Sequence, residues 1–302
     1  MVVSGASTGM GAATARQLAA LGYHVLAGVR RESDGDAIRA DGIEPVLLDV
    51  TNPAHITDLV GRIRSDPNRR QLRAIVNNAG ISIYAPVEAL PLDEWRRLFD
   101  VNLFGHVALT QALLPFLHQS RGRIVNISSV GGKGAMATYG PYAATKFALE
   151  AVSDALRREL APHGVQVVVI EPGAVKTAMA DRGAATTSGL AAKMTPELQH
   201  LYGGLVSANL AQTAAHIGNG MTSDKAGSII ARAATTRRPR TRYTVGRDAA
   251  LIVAMARILP DRMLDWGMAA GLRQYMPKAE SPSTPPRLVG TSALDDRSAA
   301  RP

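Results

Sequence analysis

Short apolar runs rich in Val and Ile alternate along this chain with longer stretches in which Ala and Leu recur at helical spacing. Runs of this length suit buried strands, and the stretches between them suit crossover helices. Seven strands follow: Met1 to Val3, His24 to Val29 (HVLAGV), Val46 to Val50 (VLLDV), Leu72 to Asn77 (LRAIVN), Arg123 to Ser128 (RIVNIS), Val165 to Ile170 (VQVVVI) and Tyr243 to Gly246. Glu171, Pro172 and Gly173 should end the sixth sharply. Helices are expected after Gly11, from Pro53 to Ser65, from Leu92 to Leu117, from Tyr142 to about Pro162 and from Thr222 to Thr235. Pro53 suits a first helical turn, with Thr51 or Asn52 as the cap. The stretch from Ala178 to Asn219 is rich in Ala, Leu, Met and Gly and reads as a helical lid. Ala249 to Ile258 and Asp261 to Tyr275 form a further helical pair. The alternation predicts an α/β fold with a parallel sheet. The opening run is short beside the usual strand of about 5 or 6 residues, so either the first strand is truncated or the start lies upstream of Met1.

Composition narrows the class. At 302 residues and 46% hydrophobic content the chain can bury a full core, and one large domain over residues 1 to 276 is expected. No apolar run reaches the 18 or so residues of a membrane span; Ala249 to Ala256 is about half that. Without a signal-peptide pattern, a soluble, cytoplasmic protein is expected. The chain has no cysteine, which removes disulfides and thiolate chemistry, and its seven histidines are scattered, so no metal site is expected. The net charge of +9 raises nucleic acid or an anionic membrane as partners. Aromatics are only 4% and do not interleave with basic residues, so bulk solubility, a polyanionic cofactor and a basic local segment account better for the charge and no nucleic acid is expected. The proline-rich stretch 277 to 302 reads as a disordered tail.

Candidate chemistry gathers at strand ends. Gly5, Gly9 and Gly11 stand between the Val pair and the first helix, where a tight turn lets backbone approach a pyrophosphate at a helix N-terminus. A merely flexible turn is the plainer alternative. Arg30 and Arg31 end the second strand, where a basic residue would meet a ribose 2'-phosphate and an acidic one a 2'-hydroxyl; either could instead point to solvent. Asp49 ends the third and could accept from an adenine amino group. Asn77, Asn78, Ala79 and Gly80 end the fourth and read mainly as packing around the central sheet. Tyr142 and Lys146 lie four apart on one helix face, either as a surface pair or as an acid/base unit. Working near neutral pH asks a phenol to fall from about 10 to about 7, about 4 kcal/mol, and a unit charge at about 4 Å in an effective dielectric of about 20 contributes that much. Ser129, at the end of RIVNIS, is aimed toward the same place. Asn102, in FDVNLFGH, is a polar position in a helical pattern whose amide a kinked backbone and an ordered water could satisfy.

Taken in order and spacing, these residues resemble the single-domain branch of the short-chain dehydrogenase/reductase family, over Val2 to roughly Asp248. The resemblance implies a doubly wound (Rossmann) parallel sheet of strand order 3-2-1-4-5-6-7 with a helical C-terminal cap. It implies that Asn102, Ser129, Tyr142 and Lys146 form the catalytic tetrad. Cofactor contacts are implied for Gly5, Ser7, Gly9, Met10 and Gly11, for Arg30, Arg31, Asp49 and Val50, and for Asn77 to Gly80. Pro172, Gly173, Val175 and Thr177 are implied to pass the nicotinamide, with Tyr142 and Lys146 beside it. In this mechanism Tyr142 exchanges the proton, Lys146 lowers its pKa and anchors the ribose, Ser129 hydrogen-bonds the reacting oxygen, and Asn102 holds a water linking Lys146 to solvent. Ser4 departs from the Thr common at its position.

The two arginines favour NADP(H), with NAD(H) possible. The expected substrate is a sizeable hydrophobic alcohol or carbonyl compound, steroid- or retinoid-like, because PRTRYTVG and the terminal helices resemble the retinol and hydroxysteroid dehydrogenase branch. A 3-ketoacyl or small-carbonyl reductase is the alternative among enzymes, and an NADP(H)-binding regulator without turnover the alternative from another class. A homodimer or homotetramer is expected from the resemblance. Weak association with a membrane surface, through Arg237 to Arg242 and the apolar cap, is a further possibility; the arginines otherwise read as a solvated loop.

Overall fold

The computed structural model describes residues 1–277 of the 302; the tail expected over 277–302 lies outside them from residue 278 on. Its strands are β1 Val2–Val3, β2 Val25–Val29, β3 Ile43–Leu47, β4 Ala74–Asn77, β5 Arg123–Ile127, β6 Gln166–Pro172, β7 Val175–Lys176, β8 Met221–Thr222 and β9 Arg242–Val245. Seven of them form one parallel sheet of order β3-β2-β1-β4-β5-β6-β9. The ribbon β7–β8 is separate and was not foreseen, because two-residue strands carry no periodicity. β1 is indeed only two residues long, yet Val2 and Val3 pair with β2 on one side and β4 on the other.

Helices cover both faces. They are α1 Gly9–Ala20, α2 Glu32–Ile38, α3 Pro53–Arg64, α4 Leu92–Phe99, α5 Gly105–Ser120, α6 Gly140–Leu160, α7 Ala178–Ala191, α8 Pro196–Gly218, α9 Ser223–Thr235, α10 Arg247–Ile258 and α11 Asp261–Arg273. Successive strand residues point to opposite faces, and the core divides accordingly. Val3, Val76, Val125 and Val168 lie under α1 and α9, against Ala12, Ala15, Leu18, Ala226 and Ile230. Val2, Ile75, Ile124 and Val167 lie under α3 and α5, against Ile56, Leu59, Leu109, Leu113 and Leu117. Each fully buried Leu contributes about 2 kcal/mol. Small residues bring α1 and α9 close together: a Cβ on Gly227 would stand 2.6 Å from that of Ala13.

Several boundaries move from their sequence positions for identifiable reasons. The third strand is Ile43–Leu47 rather than Val46 to Val50: Ile43 already pairs with Val25, whereas the Asp49 carboxylate accepts from Thr51 N and Oγ1 and turns the chain away. Asn52 is the cap of α3, accepting from Ala54 N at 3.0 Å. Helix α2 was missed, being short, polar and interrupted by Gly35. β6 does not end at Ile170, because Glu171 and Pro172 continue it opposite Thr244 and Val245. The expected helix from Leu92 to Leu117 is divided by a π turn at Asp100–Phe104, which contains Asn102. Arg242 does not belong to a solvated loop: it pairs with Glu150, Asp154 and Glu171, and Lys133 joins Glu150 at 2.7 Å.

Candidate active site

The carboxyl ends of the parallel strands open into one cleft, the place where an open α/β sheet holds its ligands. Ser7, Met10, Arg30, Asp49 and Val50 line one part of it. Ser129, Tyr142 and Lys146 line it together with Gly5, Gly9, Asn78, Ala79, Gly80, Pro172, Gly173, Val175 and Thr177. Four predicted residues do not line it: Gly11, Arg31, Asn77 and Asn102.

The glycine turn shows why those positions lack side chains. Gly5 has a φ of +63°, and a Cβ there would stand 2.8 Å from Ala79 Cα; one on Gly11 would stand 2.3 Å from the Gly5 carbonyl oxygen. Gly11 thus packs the turn against α1. Asn78 braces it by donating from Nδ2 to the carbonyls of Ser4 and Gly5, 3.0 Å each. Ser4, although not Thr, accepts from the N–H groups of Asn78 and Ala79. Helix α1 begins at this turn with no side-chain cap on Thr8 and no acidic residue in its first turn. Its first N–H groups and dipole therefore favour an anion. Arg30 lines the cleft beyond β2. Uncapped amides, a cradle closed to any Cβ and a cation beyond them fit a pyrophosphate-bearing dinucleotide.

Arg31 belongs elsewhere: its guanidinium forks onto Asp34, two bonds of 3.0 Å, with 76% of the side chain exposed. Asn77 is buried under the cleft floor, donating to Thr110 Oγ1 at 3.0 Å and to Asn126 Oδ1 at 2.8 Å. Asn126 in turn donates to Ser153 Oγ, so this chain of amides links β4 and β5 to α5 and α6.

Ser129, Tyr142 and Lys146 converge. Pro141 occupies the first turn of α6, suited by its fixed φ, and the helix carries Tyr142 and Lys146 inward on one face. Tyr142 is buried beside the Ser129 hydroxyl, and Ser129 Oγ accepts from Gly131 N at 3.0 Å. Lys146 donates to the Ile127 carbonyl at 2.9 Å. The expected fall in the phenol pKa is overturned here. Burial pushes Tyr142 up to about 12, the Ser129 bond opposing and Tyr139 adding, while burial pulls Lys146 down to about 8 against the pull of Glu150. Desolvation of both groups outweighs their attraction.

Asn102 is fully buried, but its side chain is committed. Nδ2 donates to Ile81 O at 2.9 Å and to Thr145 Oγ1 at 3.2 Å, and Oδ1 accepts from Ile81 N at 2.9 Å. The amide joins the loop after β4 to α6, and both Nδ2 donors are used within the protein.

The structure adds residues that spacing could not reveal. Tyr84 stacks on Tyr139 with ring centres 4.3 Å apart and meets Tyr142 edge-on at 6.0 Å. Tyr139 OH lies 3.0 Å from Thr213 Oγ1 on α8, and Thr187 on α7 accepts from Tyr84 N at 3.1 Å. Both lid helices are therefore tied to the aromatic wall of the cleft. Met136, Met179, Ile217 and Ile252 supply apolar lining. Tyr139, three residues before Tyr142, was the one available signal.

Comparisons with known proteins agree with this geometry. The family model described as short chain dehydrogenase matches residues 1–187. Mouse Retinol dehydrogenase 5 is 36% identical over 272 residues, 87% of this chain and 85% of its own length. The NADPH-dependent 3-dehydrocapnine reductase of Ornithobacterium rhinotracheale is 33% identical over 273 residues, 87% of this chain and 94% of its own. Among solved structures, a short-chain dehydrogenase from Streptomyces avermitilis superimposes with a TM-score of 0.69 at 28% identity, over 91% of this chain and 94% of that one. With the sheet order, the glycine cradle and the Ser129–Tyr142–Lys146 convergence, these likenesses show that the chain belongs to the short-chain dehydrogenase family and resembles its retinol dehydrogenase-like members.

Proposed function

We propose that this oxidoreductase is an NADP(H)-preferring alcohol dehydrogenase or carbonyl reductase for a sizeable hydrophobic alcohol, aldehyde or ketone. The observation that carries the reading is the convergence of Ser129, Tyr142 and Lys146 in a cleft walled by Tyr84, Tyr139, Met136 and Met179. Arg30 supports the preference for a phosphorylated ribose, and the NADPH-dependent relative accords with it. Bound along the cleft, the nicotinamide supplies the two-electron donor or acceptor.

The protein's own groups handle the proton and the charge. Tyr142, protonated at neutral pH, delivers its proton to the substrate oxygen during reduction, and its phenolate form receives one during oxidation. Ser129 donates a hydrogen bond to that oxygen where negative charge grows, an interaction worth about 3 kcal/mol in comparable sites. Lys146 takes its place beside Tyr142 as the cation that favours the phenolate. Asn102 is a positioning residue, holding Ile81 and Thr145. The helices α7, α8 and α10 form the lid, and the Tyr139–Thr213 bond latches it over the apolar end.

The test is reduced-nicotinamide absorbance with NADPH or NADH and a panel of steroid, retinoid, aliphatic and ketoacyl carbonyls. Consumption of NADPH with a bulky apolar carbonyl, abolished in Tyr142→Phe, is the expected result. Turnover retained in that variant would sink the catalytic assignment, and preference for NADH would overturn the role of Arg30.

A further inference from the structure

The two lid helices repeat one arrangement. On α7, the Met179 sulfur lies against the floor of the cleft, 3.9 Å from the position of a Cβ on Gly80. Arg182, three residues on and so on the same helix face, also lines the cleft. On α8, Thr213 is held by Tyr139, and His216, again three residues on, lines the cleft beside Ile217. Met179 is half-buried and Thr213 buried, whereas Arg182 and His216 are exposed. On each helix a residue held inside the cleft is followed, about 4.5 Å further along the axis, by an exposed basic one. Among the described residues, neither Arg182 nor His216 has an ion-pair or hydrogen-bond partner. The one carboxylate lining the cleft among the described residues is Asp49, beyond β3.

We propose that Arg182 and His216 receive an anionic group, a carboxylate, sulfonate or phosphate, carried by the hydrophobic substrate toward the mouth of the cleft. The proposal rests on the oxidoreductase reading above and deepens it by adding a charged head to the apolar body. Met136, Ile217 and Ile252 line the same cleft and offer the apolar body of the substrate a packing surface. The planar fork of Arg182 suits two oxygens of one oxyacid, and His216 supplies a second donor.

The test compares a ten-carbon keto acid with its methyl ester. Binding of each to the NADPH complex of Tyr142→Phe is read by cofactor fluorescence, which does not depend on turnover. The acid should bind about tenfold tighter than the ester. Adding Arg182→Ala should bring that ratio to near one, and Arg182→Lys should keep part of it. His216→Ala should lower the ratio less than Arg182→Ala does. A ratio near one before any lid substitution overturns the proposal. So does an Arg182→Ala effect confined to NADPH affinity, which would assign the guanidinium to a cofactor phosphate. Absence of turnover with every carbonyl in the unsubstituted protein would instead strike the oxidoreductase reading, leaving the acid-to-ester ratio to decide this one.

Discussion

Lys146 carries its ammonium 5.8 Å from the centre of the Tyr142 ring and directs a hydrogen bond, 2.9 Å long, at the Ile127 carbonyl. The pair is adjacent without being an ion pair. Burial governs both members, raising the phenol to about 12 and lowering the ammonium to about 8.

The phenol is thus an acid at neutral pH, and the two reaction directions should respond differently to pH. Carbonyl reduction should be nearly flat between about pH 6 and about pH 8, since Tyr142 stays protonated, whereas alcohol oxidation should rise over that range as more phenolate forms and less steeply above about pH 8, where Lys146 loses its charge. Initial rates in both directions across that range check this. An oxidation rate that levels off below about pH 7 would show that the phenolate is far better stabilised than burial allows.

His106 offers a stability test. It is buried, its Nε2 pairs with the Ala79 carbonyl at 2.7 Å, and burial, followed by the charge of Lys146, lowers its pKa to about 3. Between about pH 6.5 and about pH 3 the unfolded chain binds a proton that the folded one refuses, so stability is lost as pH falls through that window. The interval corresponds to about 5 kcal/mol at its acid end. Denaturant midpoints measured from pH 7 to pH 4 should fall, and His106→Asn should flatten the slope even if it lowers the starting value.

Gly11→Ala places a methyl 2.3 Å from the Gly5 carbonyl oxygen and 2.5 Å from Asn78 Nδ2. Backbone must move, and a loss of about 1–3 kcal/mol is expected. Cofactor affinity should fall with it, because the same shift opens the cradle. Melting temperature and NADPH titration read the two effects; a variant unchanged in both would show that the turn yields freely.

Arg242 is the hub of a buried charge cluster, 2.9 Å from Glu150 and Asp154 and 3.3 Å from Glu171, with 19% of its side chain exposed. Arg242→Met would leave Glu150 and Glu171 facing only Lys133, at a cost of about 3–5 kcal/mol. Urea unfolding should show the loss, and Arg242→Lys should recover part of it. An equal loss for Lys and Met would mean that the fork geometry matters more than the charge.

Arg30 and Arg31 separate in the structure, and their variants should separate too. Arg30→Ala should weaken NADPH about tenfold while leaving NADH little changed. Arg31→Ala should leave both affinities alone, because Arg31 is bound to Asp34 at the surface. Fluorescence titration with each cofactor distinguishes them, and an equal NADPH loss in both variants would restore Arg31 to the site.

The linear chain by itself determined the sheet, because strand faces and helix faces are periodic properties: runs such as RIVNIS and VQVVVI must be buried on both sides, and their alternation with helices leaves a parallel sheet as the natural solution. It also carried the Gly5–Gly11 turn and the Tyr142–Lys146 pair, both set by local spacing. Tertiary structure alone decided whatever depends on residues far apart in sequence. It spent the Asn102 amide on Ile81, turned Arg31 away from the cleft, and drew Arg242 into contact with Glu150, 92 residues earlier. It also stacked Tyr84 on Tyr139 and set the direction in which the Tyr142 pKa moves. Spacing fixes which groups can meet on one helix, but desolvation depends on everything packed around them, and no local pattern records that.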